Sequence, residues 1–248
     1  MHGGNGDPWR GMRGNLLLRG LPAREALLVA PLLQRVELAN GAQLTGDGSA
    51  GNLVYFPETA IACLRFPAID ESGLGIGIVG REGALGWSRL IGSEHGGPEG
   101  IVQLEGGTAV AVEAGRLATL CATNPALLQA LLRFSYLLSL QLAGTLVSNL
   151  RDSLEARLCR WILMYHDRLA GDALAITHDA LGRLLAVRRA TVTDTLHVLE
   201  GERLVRCTRA RIVVRNRAGL EQRAGSAYGA AEEAYRALQA PFGKNSPK

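Results

Sequence analysis

The chain has 248 residues, of which 47% are hydrophobic and 20% charged, and its 27 basic and 23 acidic side chains give a formal net charge of +4. These values are typical of a soluble globular protein and exclude a low-complexity or fibrous chain, and the length suits two domains that each bury a core of their own. The cysteines and histidines are dispersed and no C-x-x-C motif occurs. We therefore predict no disulfide framework, no metal site and no cofactor.

The N-terminal residues carry no structural signal. Residues 1–14 contain five glycines and one proline without hydrophobic periodicity, which predicts a disordered lead. No basic start is joined to an apolar run and a cleavage site, so we expect no signal peptide and a cytoplasmic protein. A short helix is expected between residues 16 and 34, where Leu21-Pro22 resembles a helix start and apolar residues follow at helical spacing.

The next segment has the pattern of a β domain. Between Val36 and Leu120, short apolar runs such as LVYF, LGIGIV and TAVAV alternate with glycine-rich turns. Repeated short strands of this kind indicate an antiparallel sandwich or barrel-like roll rather than alternating βαβ units. We assign residues 15–123 to a β-roll domain that resembles a sensor.

A long helix is predicted for residues 124–150. Asn124 can cap its free amides and Pro125 is tolerated at the first helical position. Its apolar side chains occupy more than one face, so the helix can pack on the β domain and on a twin helix, which predicts a homodimer. Four polar residues interrupt the segment on several faces and argue against a membrane span, namely Gln129, Arg133, Gln141 and Asn149.

Residues 151–220 have the pattern of a winged helix-turn-helix domain. A helix is predicted from Leu154 to Leu169, and residues 176–216 then indicate a helix, a tight turn, a second helix and a hairpin rich in arginine. Gly182 is the small residue expected at the close approach of the two helices. The apolar residues expected to face inward are Leu181, Leu185, Val187 and Val192.

Positive charge is concentrated in the same part of the chain. From Arg203 to Arg217 there are six arginines and no acidic residue. Residues 151–223 hold 14 Arg against 9 Asp plus Glu, a charge of +5, whereas residues 1–150 hold 10 against 12, a charge of −2. A solvated charged face is the plainer explanation, but the coincidence with a helix-turn-helix pattern favours contact with DNA phosphates.

Residues 221–248 are assigned to a terminal helix and tail.

The order of these elements, an α+β fold with a β-roll, a long helix and a C-terminal winged helix, resembles the CRP/FNR superfamily of transcription regulators. The resemblance is strongest over Ile176 to Val205, and the β-roll segments NLVYF and GREGALG add to it. It implies a cyclic-nucleotide-binding-like domain and a homodimer. It also implies sequence-specific binding of a pseudo-palindrome in double-stranded DNA, RNA polymerase as a partner, and no enzymatic activity.

The effector signatures of the superfamily are altered. Cyclic-nucleotide-binding members have a G-E-L-G segment where this chain has Gly83-Ala84-Leu85-Gly86, and an Arg-Ser pair where it has Pro98-Glu99-Gly100. A cyclic phosphate would then face a carboxylate, so cyclic AMP is not expected. Clustered N-terminal cysteines for an iron–sulfur cluster are missing from residues 1–62. Cys63 and His95 are candidate haem ligands, although a core thiol and a surface histidine are commoner roles. The resemblance leaves two alternatives open, an unknown small-molecule effector and DNA binding without any effector.

The resemblance also implies roles for residues at the DNA end. Arg189 matches the arginine that reads a guanine, while Arg188, Thr193 and Asp194 are expected to shift specificity. Thr191 and His178 are expected to contact phosphate or, with equal weight, to cap or solvate a helix terminus. Arg209 and Arg211 at the wing are expected to hold phosphates. Ala186 stands where the family commonly has glycine, at a strain of about 1 kcal/mol if its φ is positive.

Two other functions are compatible with parts of the pattern. A β-roll sensor could act through a protein partner, with DNA contact incidental. A cupin-like enzyme with a helical appendage would need clustered metal ligands or a nucleophile with its base, and the sequence has neither.

Overall fold

The computed structural model describes residues 9, 11–46, 51–66, 73–93, 97–238 and 242–244. The expected disorder of residues 1–14 is wrong for the part described: Met12 is fully buried, and the Trp9 indole Nε1 donates to the Leu21 carbonyl at 3.2 Å. Two apolar side chains thus tie a glycine-rich segment to the N-terminal core, although its sequence has no periodicity.

The single helix expected for residues 16–34 is two short helices, α1 (Leu16–Arg19) and α2 (Ala23–Val29), followed by a 3₁₀ turn at Ala30–Leu32. Gly20 ends α1 and Pro22 precedes α2, because proline suits a helix start and not a helix interior. Asn15 fixes this region: its Oδ1 accepts from Leu18 N at 3.1 Å, and its Nδ2 donates to the Pro57 and Gly83 carbonyls.

The predicted antiparallel β-roll is confirmed, and its described residues form two three-stranded sheets. One sheet has the order β1-β6-β2 and the other β4-β3-β5. The strands are β1 (Gln34–Leu38), β2 (Leu53–Pro57), β3 (Ala62–Phe66), β4 (Leu74–Val79), β5 (Glu99–Val102) and β6 (Gly107–Glu113). The last part of the expected β segment is instead α3 (Ala114–Thr123), whose Gly115 and Arg116 amides donate to the Glu113 carboxylate.

The long helix α4 (Pro125–Arg151) confirms the prediction, but its start differs in detail. The Asn124 side chain does not cap the helix; its Nδ2 donates backwards to the Leu120 carbonyl at 2.8 Å. One face of α4 packs on the roll through Leu127, Leu131 and Phe134. Further along, Gln141 exchanges two hydrogen bonds with the backbone of Ile78 in β4, and so joins the helix to the sheet edge.

The C-terminal half has the predicted winged helix-turn-helix order. It comprises α5 (Leu154–Arg168), β7 (Ala173–Leu174), α6 (His178–Leu185), α7 (Arg189–Gly201), β8 (Val205–Thr208), β9 (Arg211–Val214), α8 (Arg217–Ala224) and α9 (Ala230–Leu238). β7, β9 and β8 form a small antiparallel sheet. Ser153 caps α5, since its hydroxyl accepts from Ala156 N at 3.2 Å.

Each half has a buried apolar cluster of its own, and the cluster of the winged helix also includes a few residues of the roll. Ile61, Cys63 and Ile78 of the roll belong to the same buried cluster as Trp161 and Leu184 of the winged helix. Gly75 in β4 leaves room for this contact, because a Cβ there would lie about 3 Å from the Trp161 ring and the Leu184 side chain. The winged helix is therefore packed against the sheet by apolar burial.

Candidate nucleic-acid interface

The turn between α6 and α7 has the geometry that the sequence predicts. Ala186 ends α6 with φ 53° and ψ 47°, the left-handed conformation. The next amide, Val187 N, donates to the Gly182 carbonyl at 2.9 Å, and a Cβ on Gly182 would lie 2.9 Å from the Val187 carbonyl oxygen. Leu181, Leu185 and Val192 are buried beneath the turn, whereas Val187 is half-buried. These contacts fix the direction in which α7 leaves the domain.

The first turn of α7 presents a polar, cationic face to solvent. Arg188 is the N-cap residue, and Arg189, Ala190, Thr191 and Asp194 are exposed. The orphan amides and positive dipole end of a helix N-terminus also favour an anion. The residue types and their exposure suit contact with phosphates and base edges.

His178 and Thr193 contact each other across the two helices. His178 Nδ1 lies 2.9 Å from Thr193 Oγ1, and that hydroxyl also donates to the Arg189 carbonyl at 3.1 Å. The N-caps are Thr177 for α6 and Arg188 for α7, so capping of these helix starts by His178 or Thr191, one of the two roles expected, is wrong. His178 and Thr193 are half-buried and hold α6 to the reading face of α7.

The electrostatic surroundings of His178 are positive. Burial lowers its pKa, and the charges of Arg189 and His197 lower it further. The imidazole is therefore neutral at pH 7. A phosphate brought near this cluster would favour the protonated form and raise the pKa.

The wing is the β8–β9 hairpin, and its arginines fall into different environments. Arg209 is exposed beside the turn residue Ala210, which has φ 56°. The Arg211 Nη2 lies 2.8 Å from Glu105 Oε1 in the loop between β5 and β6. Both side chains are largely exposed, and an exposed pair of this kind holds an arginine weakly, so phosphate can replace the carboxylate.

Arg217 is the member of the arginine run that lies in the interior. Its guanidinium binds Asp167 at 2.8 Å, Glu221 at 2.8 Å and the Tyr228 hydroxyl at 2.6 Å. The run of six arginines is therefore not a uniform surface patch. One of its members joins α8 to α5.

A second candidate site is a cavity of about 330 Å³ between the roll and α4. Its apolar lining includes Leu64, Val79, Leu85, Leu138 and Leu142, and its polar lining includes Thr45, Ser88, Arg89 and Ser93. Arg89 Nη1 donates to the Leu53 carbonyl at 2.7 Å, which orients the guanidinium. Arg89 was not among the site residues predicted from the sequence, although a single arginine in the apolar stretch after Gly86 could have indicated it.

The expected carboxylate does not line this cavity. Glu99 Oε2 instead accepts from Arg65 Nε at 2.8 Å, because the two residues are paired across β3 and β5. The electrostatic argument against a cyclic phosphate is therefore wrong for Glu99. Ala84, which replaces the expected carboxylate of the ribose site, does line the cavity.

The candidate haem ligands find no support in the residues described. Burial raises the pKa of the Cys63 thiol to about 12, so it stays protonated inside the core, and His95 lies outside the described residues. Over the described ranges, no group of three or more His, Cys, Asp or Glu side chains could hold a metal ion.

Comparison with known proteins shows which known fold the chain has. Residues 156–223 match the family of Crp-like helix-turn-helix domains. A CRP-family transcriptional regulator of Thermus thermophilus has 18% identity and a TM-score of 0.64, with coverage of 79% of this chain and 99% of that one. No curated protein sequence gives a significant match.

Two further solved structures have the same architecture. The c-di-GMP responsive global regulator of Xanthomonas campestris has 15% identity and a TM-score of 0.61, covering 78% of this chain and 99% of its own. Another CRP/FNR regulator of Thermus thermophilus has 22% identity and a TM-score of 0.56, covering 77% and 98%. The predicted order of antiparallel roll, long helix and winged helix is confirmed as a fold.

The left-handed Ala186 gives the first prediction. This conformation costs a residue with a Cβ about 1–2 kcal/mol, and part of the gain on changing to glycine is offset by the greater freedom of glycine in the unfolded chain. Ala186→Gly should raise the free energy of unfolding by about 0.5–1 kcal/mol in urea denaturation. The matched change Ala122→Gly, on the exposed side of α3, should lower it. A loss of stability in Ala186→Gly would contradict the turn geometry.

Proposed function

We propose that this chain, which has the fold of the CRP/FNR transcription regulators and carries a Crp-like helix-turn-helix domain, is a homodimeric, sequence-specific DNA-binding regulator. The observation that carries the proposal is the exposed cationic start of α7, with Arg188 and Arg189 at the end of a rigid turn. A helix presented in this way can enter a major groove.

The proposed contacts divide into base readout and phosphate binding. Arg189 can donate two parallel hydrogen bonds to O6 and N7 of a guanine, and Arg188 and Asp194 modify which neighbouring bases are accepted. Thr191, His178, Arg209 and Arg211 bind the backbone. Thr193 acts through the orientation of His178 and the first turn of α7, since its hydroxyl is bonded to both.

The dimer is proposed to form through the outer face of α4. Its exposed large apolar residues are Leu128, Leu132, Tyr136, Leu146, Val147 and Leu150. They recur at intervals of three or four residues, with the small exposed Ser139 and Ala143 between them. This is the spacing of residues on a helix that packs against an identical helix. We call this row of residues the α4 seam.

A second copy fits this seam better than lipid. α4 is long and apolar enough to cross a membrane by length and composition. Its opposite face, however, is packed on the roll and bonded to β4 through Gln141. A helix covered by protein on one side and apolar on the other suits a twin helix, which also brings two recognition helices into one particle.

The cavity beside α4 is proposed to take a small effector other than cyclic AMP. Ala84 offers no carboxylate to a ribose hydroxyl, and most of the lining is apolar. Arg89 and its hydroxyl neighbours Ser88 and Ser93 favour an anion. The site therefore suits a compact apolar molecule with one negative charge.

The proposal has two further parts. A dimer bound beside a promoter has RNA polymerase as its expected protein partner, and a chromosomal target places the protein in the cytoplasm. The solved structures that share the fold are named as transcriptional regulators, and we propose no catalytic activity.

Selection of bound duplexes from a random pool, with and without cell extract, tests DNA specificity and effector dependence together. A pool without an enriched palindrome would favour action through a protein partner.

Base readout and phosphate binding respond differently to mutation. Arg189→Ala should weaken binding to the selected palindrome by about 1–3 kcal/mol per half-site and relax one base position. Arg209→Ala should weaken binding to all sequences alike and reduce the salt dependence. Fluorescence anisotropy over a salt series measures both effects. Equal affinity of the wild type and Arg189→Ala for the selected site would overturn the assignment of Arg189.

Dimerisation should depend on the α4 seam. Leu146 is 62% exposed, and Leu146→Glu would bury a carboxylate in the proposed interface and raise the dimer dissociation constant by about tenfold or more. Leu27→Glu is the matched control, because Leu27 is 58% exposed on α2, away from the seam. Sedimentation equilibrium measures the constant. A dimer of unchanged strength in Leu146→Glu would show that the seam is not the interface.

The effector cavity can be tested with defined probes. We expect 1-naphthoate, an apolar anion, to raise the melting temperature of the wild type, and 1-naphthylmethanol, its neutral counterpart, to raise it less. Arg89→Met should remove the difference between the two probes, because it removes the cation that pairs with the carboxylate. Cyclic AMP should give no shift. A shift with cyclic AMP, or an unchanged preference for naphthoate in Arg89→Met, would contradict the proposal.

A further inference from the structure

The C-terminal residues return from the winged helix to the roll. α8 belongs to the core of the winged helix through Leu220 and Ala224. Beyond it, α9 packs along α4, and Tyr235 and Phe242, each 1% exposed, belong to the core of the N-terminal half. Tyr228, α9 and Phe242–Lys244, here called the C-terminal segment, lie outside the part of the chain that matches the helix-turn-helix family.

The segment covers a buried ion pair at the junction of the two halves. Arg168 Nη2 at the end of α5 lies 2.7 Å from Oε1 of Glu82, which follows β4, and the side chains are 0% and 2% exposed. The Phe242 ring lies 5.0 Å from Arg168 Cζ, and Tyr235 packs on Phe242 with ring centroids 5.1 Å apart. The two aromatic rings keep water from the pair, and an ion pair is stronger in such surroundings.

Both ends of the segment are anchored to the winged helix. At its start, the Tyr228 hydroxyl donates to Asp167 Oδ2 at 2.5 Å, and Arg217 binds both residues. At its end, Lys244 Nζ donates to the Ala170 and Gly171 carbonyls at 2.8 and 3.0 Å. The middle of the segment therefore packs on α4 and the N-terminal core, while its two ends are bonded to the winged helix.

We propose that Tyr228, α9 and Phe242–Lys244 form an interdomain clamp that holds each winged helix in one orientation on its roll. The inference rests on the proposed function, because its purpose is to fix the separation of the two recognition helices of a dimer. A palindromic site demands one separation, so a pre-set orientation strengthens simultaneous binding of both half-sites without any new contact to DNA.

The clamp is tested with Phe242→Ala in the full chain, and with Leu238→Ala as the control, since Leu238 is 46% exposed on α9. Spin labels are placed at Arg24→Cys in α2 and Gln222→Cys in α8, both exposed positions, in a Cys207→Ser background. Labelled chains are diluted into unlabelled ones, so that double electron–electron resonance reports distances within one protomer.

We expect one narrow distance distribution for the parent and the control, and a broad one for Phe242→Ala. The affinity of Phe242→Ala for a duplex with both half-sites should fall about tenfold, while its affinity for a single half-site stays unchanged. Phe242→Leu, which keeps an apolar side chain but loses the ring over Arg168, should give smaller changes in the same direction. It serves as the test if Phe242→Ala does not fold.

The outcomes separate the clamp from the proposed function. A distribution that stays narrow in both Phe242 variants would overturn the clamp. A broad distribution with unchanged or stronger binding to two half-sites would overturn its role in setting the separation. If the parent itself selects no DNA, the proposed function fails, and the distance distributions still decide whether the segment holds the two halves together.

Discussion

The Glu82–Arg168 ion pair is the constraint on which the arrangement of the two halves depends. Removing two charges from water is costly, and hydrogen bonds from the surrounding protein recover part of that cost. Here Glu82 Oε1 accepts from Gly80 N, and Arg168 Nη1 donates to the Met164 carbonyl at 2.7 Å. The pair is therefore bonded to the backbone of both halves, and it adds to the apolar contacts that pack them together.

The short segment from Glu82 to Arg89 connects this ion pair to the cavity. Glu82 follows β4 and binds Arg168, while Ala84, Leu85 and Arg89 a few residues later line the cavity. Gly83 lies between them, against the Phe134 ring of α4, where a Cβ would lie only 2.1 Å from the ring. A ligand that displaced the segment would alter both the ion pair and the contact with α4. The cavity and the ion pair with the winged helix are thus separated by a few residues of chain.

Local patterns were enough to predict the helix-turn-helix. The inward positions Leu181, Leu185 and Val192, the close approach at Gly182 and the conformation of Ala186 all depend on residues within about two helical turns of each other. The roll and α4 were likewise visible from their periodicity. Charge alone was less informative, because it did not separate Arg209 on the surface from Arg217 in the interior.

The features that were not predicted depend on contacts between residues far apart in the chain. The core shared by Ile78 and Trp161, the partner of Arg168, and the packing of Phe242 on the N-terminal half have no periodic signature. The break at Gly20 and Pro22 was visible in the sequence, but the apolar spacing across it suggested one helix. The role of Glu99 was misjudged because its partner Arg65 comes from another strand.

The shared core also limits how far the protein is modular. The sheet residues Ile61, Cys63 and Ile78 cover part of the apolar surface of α5 and α6. A fragment that began at Ser153 would keep its turn and wing but expose Trp161 and Leu184 to water. Such a fragment would tend to self-associate through this face. The winged helix of this chain therefore shares an apolar surface with the roll, and joining it to a different roll would require the matching sheet surface to be transferred with it.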